Sequence, residues 1–422
     1  MITVVGTGTG APVPQEVLDG AELVVGGRRH LASVTLPAGA SSVVLGPLAP
    51  AFDVVEKYLG EGRRVVVLAS GDPGFFGVVR ALAERFGPGV LEVRPGVSSV
   101  ATAFARLGVA WDDAVVVSAH GRAARVAVNV CRAFPKVAVL TGPGGGPAEL
   151  GAGLVGYARE LVVGTSLGDP VSERVERVTP EEAAARDWGS AVSVVVCLDV
   201  GRGEEGARAV AGRRGSGMRT VAGGFASPDR WALEEGDFAH RDSMITKFEV
   251  RALALARLGP RVGELVWDVG SGSGSVAVEC ARFGAAVSAV EKAADGVERV
   301  RANAAAHGVD VHVVHGEAPG ALAQLDDPDA VFVGGGGGEL PAIVAECARR
   351  ARRVVVVAMA AVDRVPGVRA ALVDAGFSCD GVLLQSSRLA PLPGDVTRLA
   401  ATNPVFLLWG VRTSLSDEGV AQ

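Results

Sequence analysis

The residues best suited to chemistry are two glycine clusters, Gly6-Thr7-Gly8-Thr9-Gly10 and Gly270-Ser271-Gly272-Ser273-Gly274, more than 250 positions apart. Each follows an apolar run that reads as a β-strand, and the second opens directly into a helical pattern. Glycine at such a turn lets backbone approach a ligand closely, and a helix N-terminus offers N–H groups with no intrahelical partner. Behind the second cluster an acidic residue, Glu291, falls 17 positions after Gly274, where the next strand should end. A carboxylate there can accept hydrogen bonds from both hydroxyls of a ribose. The spacing fits an adenosyl cofactor without saying which one. Behind the first cluster no acidic residue ends the second strand; Gly26-Gly27-Arg28-Arg29-His30 stands there instead, so this is no dinucleotide fingerprint.

Five consecutive glycines, Gly334 to Gly338, follow the fourth strand of the second half. They leave a wall free of side chains against which a large flat substrate can lie, with Gly334, Gly335 and Gly336 as the contact residues. An Asn/Asp-Pro-Pro-aromatic element, expected of an enzyme that methylates amino groups, is absent there. His120 has two readings, an acid–base group titrating near neutrality or a packed residue at a strand end. Ser118, two positions before it, lacks an acidic orienter, which disfavours covalent catalysis. Asp72 either shapes the turn Ser70-Gly71-Asp72-Pro73 or meets a ligand. His240 and Arg241 can reach substrate carboxylates or lie in a solvated loop. His307, His312 and His315 sit at a helix end and on one strand face, a poor arrangement for a metal, and no metal site is expected. Arg388 and Arg398 are expected at the surface.

The elements that must position these groups are short Val-rich runs alternating with Ala/Arg/Glu-rich helical segments, an α/β pattern with largely parallel sheets. In the first half the strands are expected at 2–5, 22–26, 64–69, 89–93, 114–118, 136–140, 161–164 and 192–198. In the second they are expected at 264–269, 286–290, 310–314, 329–333, 353–358, 380–386 and 404–411, the last two joined by a polar loop. Between the halves, 201–226 is rich in Gly and Arg without apolar periodicity and reads as a linker. A length of 422 residues exceeds what one core usually supports. Two domains are therefore expected, 1–200 (lobes 1–105 and 110–200) and 227–412, followed by a tail at 413–422. The net charge of −6 argues against a nucleic-acid partner. Only four lysines occur, and the abundant arginines suit a ligand with many carboxylates. The five cysteines lack CxxC spacing, so neither disulfides nor zinc is expected. With no basic leader and no apolar run of about 18 residues, a cytoplasmic protein without a membrane partner is expected.

In the second half, Ile245-Thr246-Lys247-x-Glu249-Val250-Arg251-Ala252, Asp268-Val269-Gly270-Ser271-Gly272-Ser273-Gly274-Ser275, Gly316-Glu317-Ala318-Pro319, Val333-Gly334-Gly335 and Asn403-Pro404-Val405 resemble the decarboxylating precorrin methyltransferases of cobalamin biosynthesis over nearly all of 227–412. The resemblance implies a Rossmann-like class I methyltransferase with a seven-stranded sheet. It also implies S-adenosylmethionine held by Thr246, Gly270, Ser271, Gly272, Ser273, Gly274, Glu291 and Ala318. One departure is Gly336, where the family usually carries Ser. In the first half, the opening glycines with Ser70-Gly71-Asp72-Pro73-Gly74, Val25-Gly26-Gly27-Arg28-Arg29-His30-Leu31, Pro95-Gly96-Val97-Ser98-Ser99, Arg106-Leu107-Gly108, Ser118-x-His120-Gly121-Arg122 and Leu167-Gly168-x-Pro170 with Glu173-Arg174 resemble the tetrapyrrole methylase family, in its precorrin C5-methylating branch, over 1–200. The implied fold is two α/β lobes with the cofactor in the cleft between them. Gly6, Gly8, Gly71, Asp72, Ser98 and Ser99 would contact S-adenosylmethionine and Arg122 the substrate. The opening loop departs from the family's usual form at Thr9 and Pro12.

The two resemblances together imply a bifunctional enzyme with two S-adenosylmethionine sites. It would methylate a tetrapyrrole (precorrin-6B) at C5 and C15, remove the C12 acetate carboxyl to give precorrin-8, and work as a homo-oligomer. Of the catalytic candidates, His120 belongs to the first half and His240 with Arg241 to the second. Two rival readings remain: a methyltransferase for another acceptor, and a cofactor-binding scaffold or sensor with one inactive half.

Overall fold

The computed structural model describes residues 1–7, 12–120, 123–189, 192–201, 231–241 and 245–413. Gly8, Thr9, Arg122, nearly all of the Gly/Arg-rich segment and nearly all of the tail lie outside the described residues. The chain divides into two compact units, Met1–Ala124 with Pro135–Ala222, and Arg125–Phe134 with Gly223–Gln422.

The first unit holds two five-stranded sheets. One consists of β1 (Ile2–Thr7), β2 (Leu23–Gly26), β3 (Ser41–Val44), β4 (Val65–Ser70) and β5 (Leu91–Arg94), in the order β3-β2-β4-β1-β5. All its pairs are parallel. Parallel strands bury both faces, and β1, β2 and β4 are accordingly buried along nearly their whole length. The exposed edge strand β3 is not a Val-rich run and escapes the pattern. The second sheet, β6 (Val115–Ser118), β7 (Lys136–Leu140), β8 (Arg159–Thr165), β9 (Arg174–Val178) and β10 (Val192–Asp199), runs β6-β7-β10-β8-β9. Only its β6–β7 pair is parallel, so in this sheet the expectation of largely parallel pairing does not hold. The helix Ser99–Leu107 buries Val100, Ala103 and Phe104 in the core of this second sheet.

The order of the first sheet decides where the loops meet. Because β1 lies between β4 and β5, the segments leaving the carboxyl ends of all three adjoin. The Gly71 N–H donates to the Thr7 carbonyl at 2.7 Å. A β-carbon on Gly6 would fall inside the contact distance of the Gly71 oxygen and the Gly96 nitrogen, and one on Gly96 would lie 2.7 Å from the Gly71 oxygen. Three backbones cross here with no room for a side chain.

The second unit is built on β11 (Leu265–Val269), β12 (Ala286–Glu291), β13 (His312–His315), β14 (Ala330–Val333), β15 (Val354–Met359), β16 (Phe377–Leu384), the hairpin strands β17 (Ser387–Leu392) and β18 (Val396–Ala401), and β19 (Val405–Arg412). Seven of them form one sheet, β13-β12-β11-β14-β15-β19-β16, parallel except for β19. Trp267, Val331 and Val355 fill one side of it, and Val266, Phe332 and Val356 the other. The segment expected to be a polar loop before β19 contains the β17–β18 hairpin. Its Leu389 and Leu399 face each other across the strands and are 78% and 68% exposed, so burial leaves no alternation to read.

A fully buried ion pair ties the unit's entry segment to this sheet. Arg251, on the helix Phe248–Leu258, and Glu279, on Ser275–Arg282, are both 0% exposed and 3.6 Å apart. Arg251 donates to the carbonyls of Leu233 and, at 2.7 Å, Thr246. Glu279 accepts from the Leu233 N–H. Losing one partner would strand a buried charge.

The three-way glycine contact generates a stability prediction. Gly6→Ala should destabilise the first unit by about 3 kcal/mol, the upper end for overpacking, because the obstacles are backbone atoms that cannot rotate away. Thermal unfolding would measure this, and an unchanged melting transition would contradict the packing described.

Candidate functional site

In the second unit the cofactor candidates gather at the carboxyl ends of β11, β12 and β14. Gly270, Gly272 and Gly274 have φ of 72°, 59° and 75°, conformations that favour glycine. A β-carbon on Gly270 would meet the Gly335 nitrogen at 3.1 Å, so the two glycine loops touch, while Gly272 opens into free space. Glu291 is buried at the end of β12. It accepts from the Gly272 N–H at 2.8 Å and the Ala293 N–H at 2.9 Å. Both carboxylate oxygens are thus fixed in direction, each with lone-pair capacity remaining. Asp268 is 1% exposed and accepts from Ser271 Oγ at 2.7 Å and the Ala277 N–H at 3.1 Å. Burial pushes its carboxyl up to about 6, against the opposing pull of those two hydrogen bonds and with a smaller push from the Glu291 charge.

The remaining candidates are held by separate ties. Ala318 follows Gly316, whose N–H donates to the Glu291 carbonyl at 3.0 Å. Thr246 is held through its carbonyl by Arg251. Gly334 donates to the Val269 carbonyl, which places the start of the five-glycine wall beside the cofactor loop. At Gly336 φ is 149°, and a β-carbon would stand 3.1 Å from Leu340 Cα and Ile343 Cδ1. Glycine at this position therefore goes with a backbone that crowds out a serine side chain.

Sequence reasoning missed Asn303. This residue is 3% exposed, and its amide nitrogen donates to the Ser273 carbonyl at 2.7 Å and the Ala239 carbonyl at 2.8 Å. Its oxygen accepts from the Ala239 N–H at 2.8 Å. One side chain thus fastens the segment carrying His240 and Arg241 to the cofactor loop. Arg388, expected at the surface, is partly exposed and also pairs with Glu235 through two bonds of 2.8 Å and with Glu249 at 2.6 and 3.0 Å, anchoring the hairpin to the entry segment. Its guanidinium holds the Glu235 carboxyl down at about 2. His307 and His315 bond to the carbonyls of Asp237 and Lys292 on different segments. Among the described residues no group of three or more His, Cys, Asp or Glu is arranged for a metal.

In the first unit a cleft of about 970 Å³ is lined by residues of both sheets. Gly71, Asp72, Ser98, Ser99 and His120 all border it, whereas Gly6 packs behind its wall. Asp72 accepts from the Gly74 N–H at 2.8 Å and so shapes the turn after β4. Ser98 caps the helix Ser99–Leu107, accepting from the Ala101 N–H at 3.1 Å. His120 is exposed, and Gly142 makes room for it, since a β-carbon there would lie 2.9 Å from its Nδ1. Its backbone N–H, not its ring, meets Ser118 Oγ at 3.3 Å. The motif residues Arg106, Gly168 and Glu173 converge away from the chemistry, with Glu173 accepting from Arg106 and from the Gly168 N–H.

The cleft also contains Arg29, His30 and Ser70, which lie within the quoted motifs, where the sequence assigns them no role of their own. Arg29 donates from Nε to His30 Nε2 at 3.3 Å and from Nη2 to Ser70 Oγ at 2.9 Å; Ser70 Oγ lies 3.1 Å from His30 Nε2. Burial, helped by the adjacent Arg29 charge, lowers the His30 pKa to about 4. The ring is therefore neutral near pH 7 with Nε2 as acceptor.

These features define two methyltransferase architectures in one chain: a two-lobed α/β unit with a cleft, and a class I unit with a glycine loop and an acidic residue after the second strand. The tetrapyrrole (corrin/porphyrin) methylase family matches residues 1–184, and the precorrin methyltransferase domain family matches 237–411. The chain is 39% identical over 326 residues to a precorrin-6Y C(5,15)-methyltransferase [decarboxylating] of Sinorhizobium sp., covering 76% of this chain and 73% of that one. It is 31% identical over 208 residues to a cobalt-precorrin-7 C(5)-methyltransferase of Salmonella typhimurium, covering 47% of this chain and 99% of the relative. A crystal structure of the C-terminal domain of precorrin-6Y C5,15-methyltransferase from Rhodobacter capsulatus is 34% identical, covering 43% of this chain and 97% of that domain, with a TM-score of 0.39. The chain belongs to the precorrin-6Y C(5,15)-methyltransferase (decarboxylating) family, and its cofactor is S-adenosylmethionine.

The depressed His30 pKa predicts a pH response. The unfolded chain takes up this proton near 6.5 and the folded chain near 4, so the stability from neutral His30 is complete above pH 6.5 and drains away as pH falls toward 4. Melting curves of the wild type and His30→Asn across this window should show a smaller loss in the variant. Equal losses would mean that His30 is not the titrating group.

Proposed function

We propose that the chain carries two separate catalytic domains, 1–200 and 227–412, joined by 201–226, each with its own S-adenosylmethionine site, although compactness alone groups Arg125–Phe134 with the second unit. The first methylates C5 of precorrin-6B; the second methylates C15 and removes the C12 acetate carboxyl, giving precorrin-8. The observation that carries this reading is the pair of unlike sites, a cleft lined by two sheets in one unit and the Glu291–glycine-loop arrangement in the other. The two family matches fall on the same two halves.

S-adenosylmethionine supplies an electrophilic methyl group, and the nucleophile is an enamine-like carbon of the ring. The protein's task is placement and exclusion of water. In the second domain Glu291 and the 270–274 loop receive the cofactor, with Thr246 and Ala318 beside them. Gly334, Gly335 and Gly336 let the macrocycle come close, and His240 and Arg241 meet its carboxylates. Decarboxylation follows when a protonated imine of the ring takes up the electrons of the departing carboxyl. In the first domain Gly71, Asp72, Ser98 and Ser99 border the cofactor and Gly6 holds their loops together. His120 is the group there that can move a proton after methyl transfer. Self-association belongs to the same reading, and the exposed Leu389–Leu399 pair on the hairpin supports it.

Independence of the two sites has a direct test. Glu291→Ala should lower C15 methylation and decarboxylation together by at least about tenfold, the effect of losing one charge-assisted hydrogen bond to the ribose, and leave C5 methylation at the wild-type rate. A parallel loss of C5 methylation would overturn the two-site assignment.

A further inference from the structure

The carboxylate-rich macrocycle needs cationic partners in the first domain, and most cations there are already committed. Arg186, at the cleft, makes a two-pronged pair with Glu176 at 2.9 and 3.4 Å and lies 4.3 Å from the Trp188 ring centroid. Arg106 is held by Glu173. Arg29 differs. Its two protein partners, His30 Nε2 and Ser70 Oγ, are neutral, and among the described residues no carboxylate pairs with it. The carboxylates that border the cleft are turned to other work: Asp72 accepts from Gly74, Glu149 from Gly146 at 2.9 Å and Asp187 from Gly189 at 3.0 Å.

The geometry also aims the guanidinium. Bonds from Nε and one Nη2 proton fix its plane, leaving Nη1 and the second Nη2 proton to bind a carboxylate. Its anchor is unusual for a cation, because a histidine accepts from it. His30 is 7% exposed, and its Nδ1 is buried with no hydrogen-bond partner, so the ring's one polar contact is the Arg29–Ser70 corner. Ser70 ends β4 immediately before Gly71 and Asp72, which places this corner beside the expected cofactor turn.

We propose that Arg29, presented by His30 and Ser70, binds a carboxylate side chain of the tetrapyrrole in the cleft of the first domain. The inference rests on the C5-methylating reading of that domain. His30 and Ser70 are positioning residues, and Arg29 touches substrate.

The test uses the full chain with the tetrapyrrole and S-adenosylmethionine, following C5 and C15 methylation in the same reaction. Arg29→Gln should raise the C5-reaction KM for tetrapyrrole roughly ten- to hundredfold, as expected for a lost charge-assisted bond, leaving the S-adenosylmethionine KM and the C15 reaction unchanged. Arg29→Lys should recover part of the loss. Esterifying the substrate's carboxylates should abolish the difference between wild type and Arg29→Gln. An unchanged tetrapyrrole KM would overturn the proposal, as would a raised KM for S-adenosylmethionine, which would assign Arg29 to the cofactor's own carboxylate. Should the Gln variant lose C5 transfer altogether, the Lys variant decides, a raised tetrapyrrole KM with kcat retained supporting the proposal and a wild-type KM overturning it. Absence of C5 transfer in the wild type would overturn the underlying reading of the domain, and this proposal with it.

Discussion

Close contact between the backbones of neighbouring crossover loops is the constraint on which both halves of the molecule depend. In the first unit the loops after β1, β4 and β5 meet at Gly6, Gly71 and Gly96; in the second, the loops after β11 and β14 meet at Gly270 and Gly335. A side chain at Gly6, Gly96 or Gly270 would push the loops apart and displace the N–H groups at the carboxyl ends of the strands, whereas a β-carbon on Gly335 would meet Gly270 at an ordinary 3.9 Å. Glycine costs conformational entropy, yet only glycine permits this approach. The buried valine-rich sheets below supply the rigid floor against which the loops are fixed.

The two halves solve the remaining problem differently. In the second unit polar side chains knit the loops from beneath: Glu291 fixes Gly272, Asp268 fixes Ser271, and Asn303 joins Ser273 to Ala239. The Arg251–Glu279 pair then secures the segment before Thr246. These are paired buried charges and satisfied amides, which fix geometry more than they add stability. The first unit instead leaves an open cleft whose walls come from two sheets, with a neutral histidine and a serine holding one arginine at its edge.

Much of this was legible in the sequence because glycine clusters and valine runs carry their physical reasons openly. The seven strands of the large sheet fell close to their expected positions, as did Glu291 at the end of β12. What escaped lacked a local signature. Edge strands β3 and β9 expose too much side chain to show a buried run, and the hairpin exposes its leucines. Asn303 sits in an Ala-rich helix, where an amide looks like a surface residue until the chain folds it onto Ser273. Arg388 finds its carboxylates 139 and 153 positions away, beyond the reach of any spacing rule. His30 lay within a motif that marked the family, but its role came from burial and from Ser70, 40 positions on.

The central claim, two catalytic sites acting on one macrocycle, is tested most directly by mass spectrometry of precorrin-6B incubated with the purified chain and S-adenosylmethionine. The account predicts a product that has gained two methyl groups and lost one carbon dioxide. A product with one methyl gained and carbon dioxide lost would contradict the claim for the first domain, and an unchanged substrate would contradict it for both.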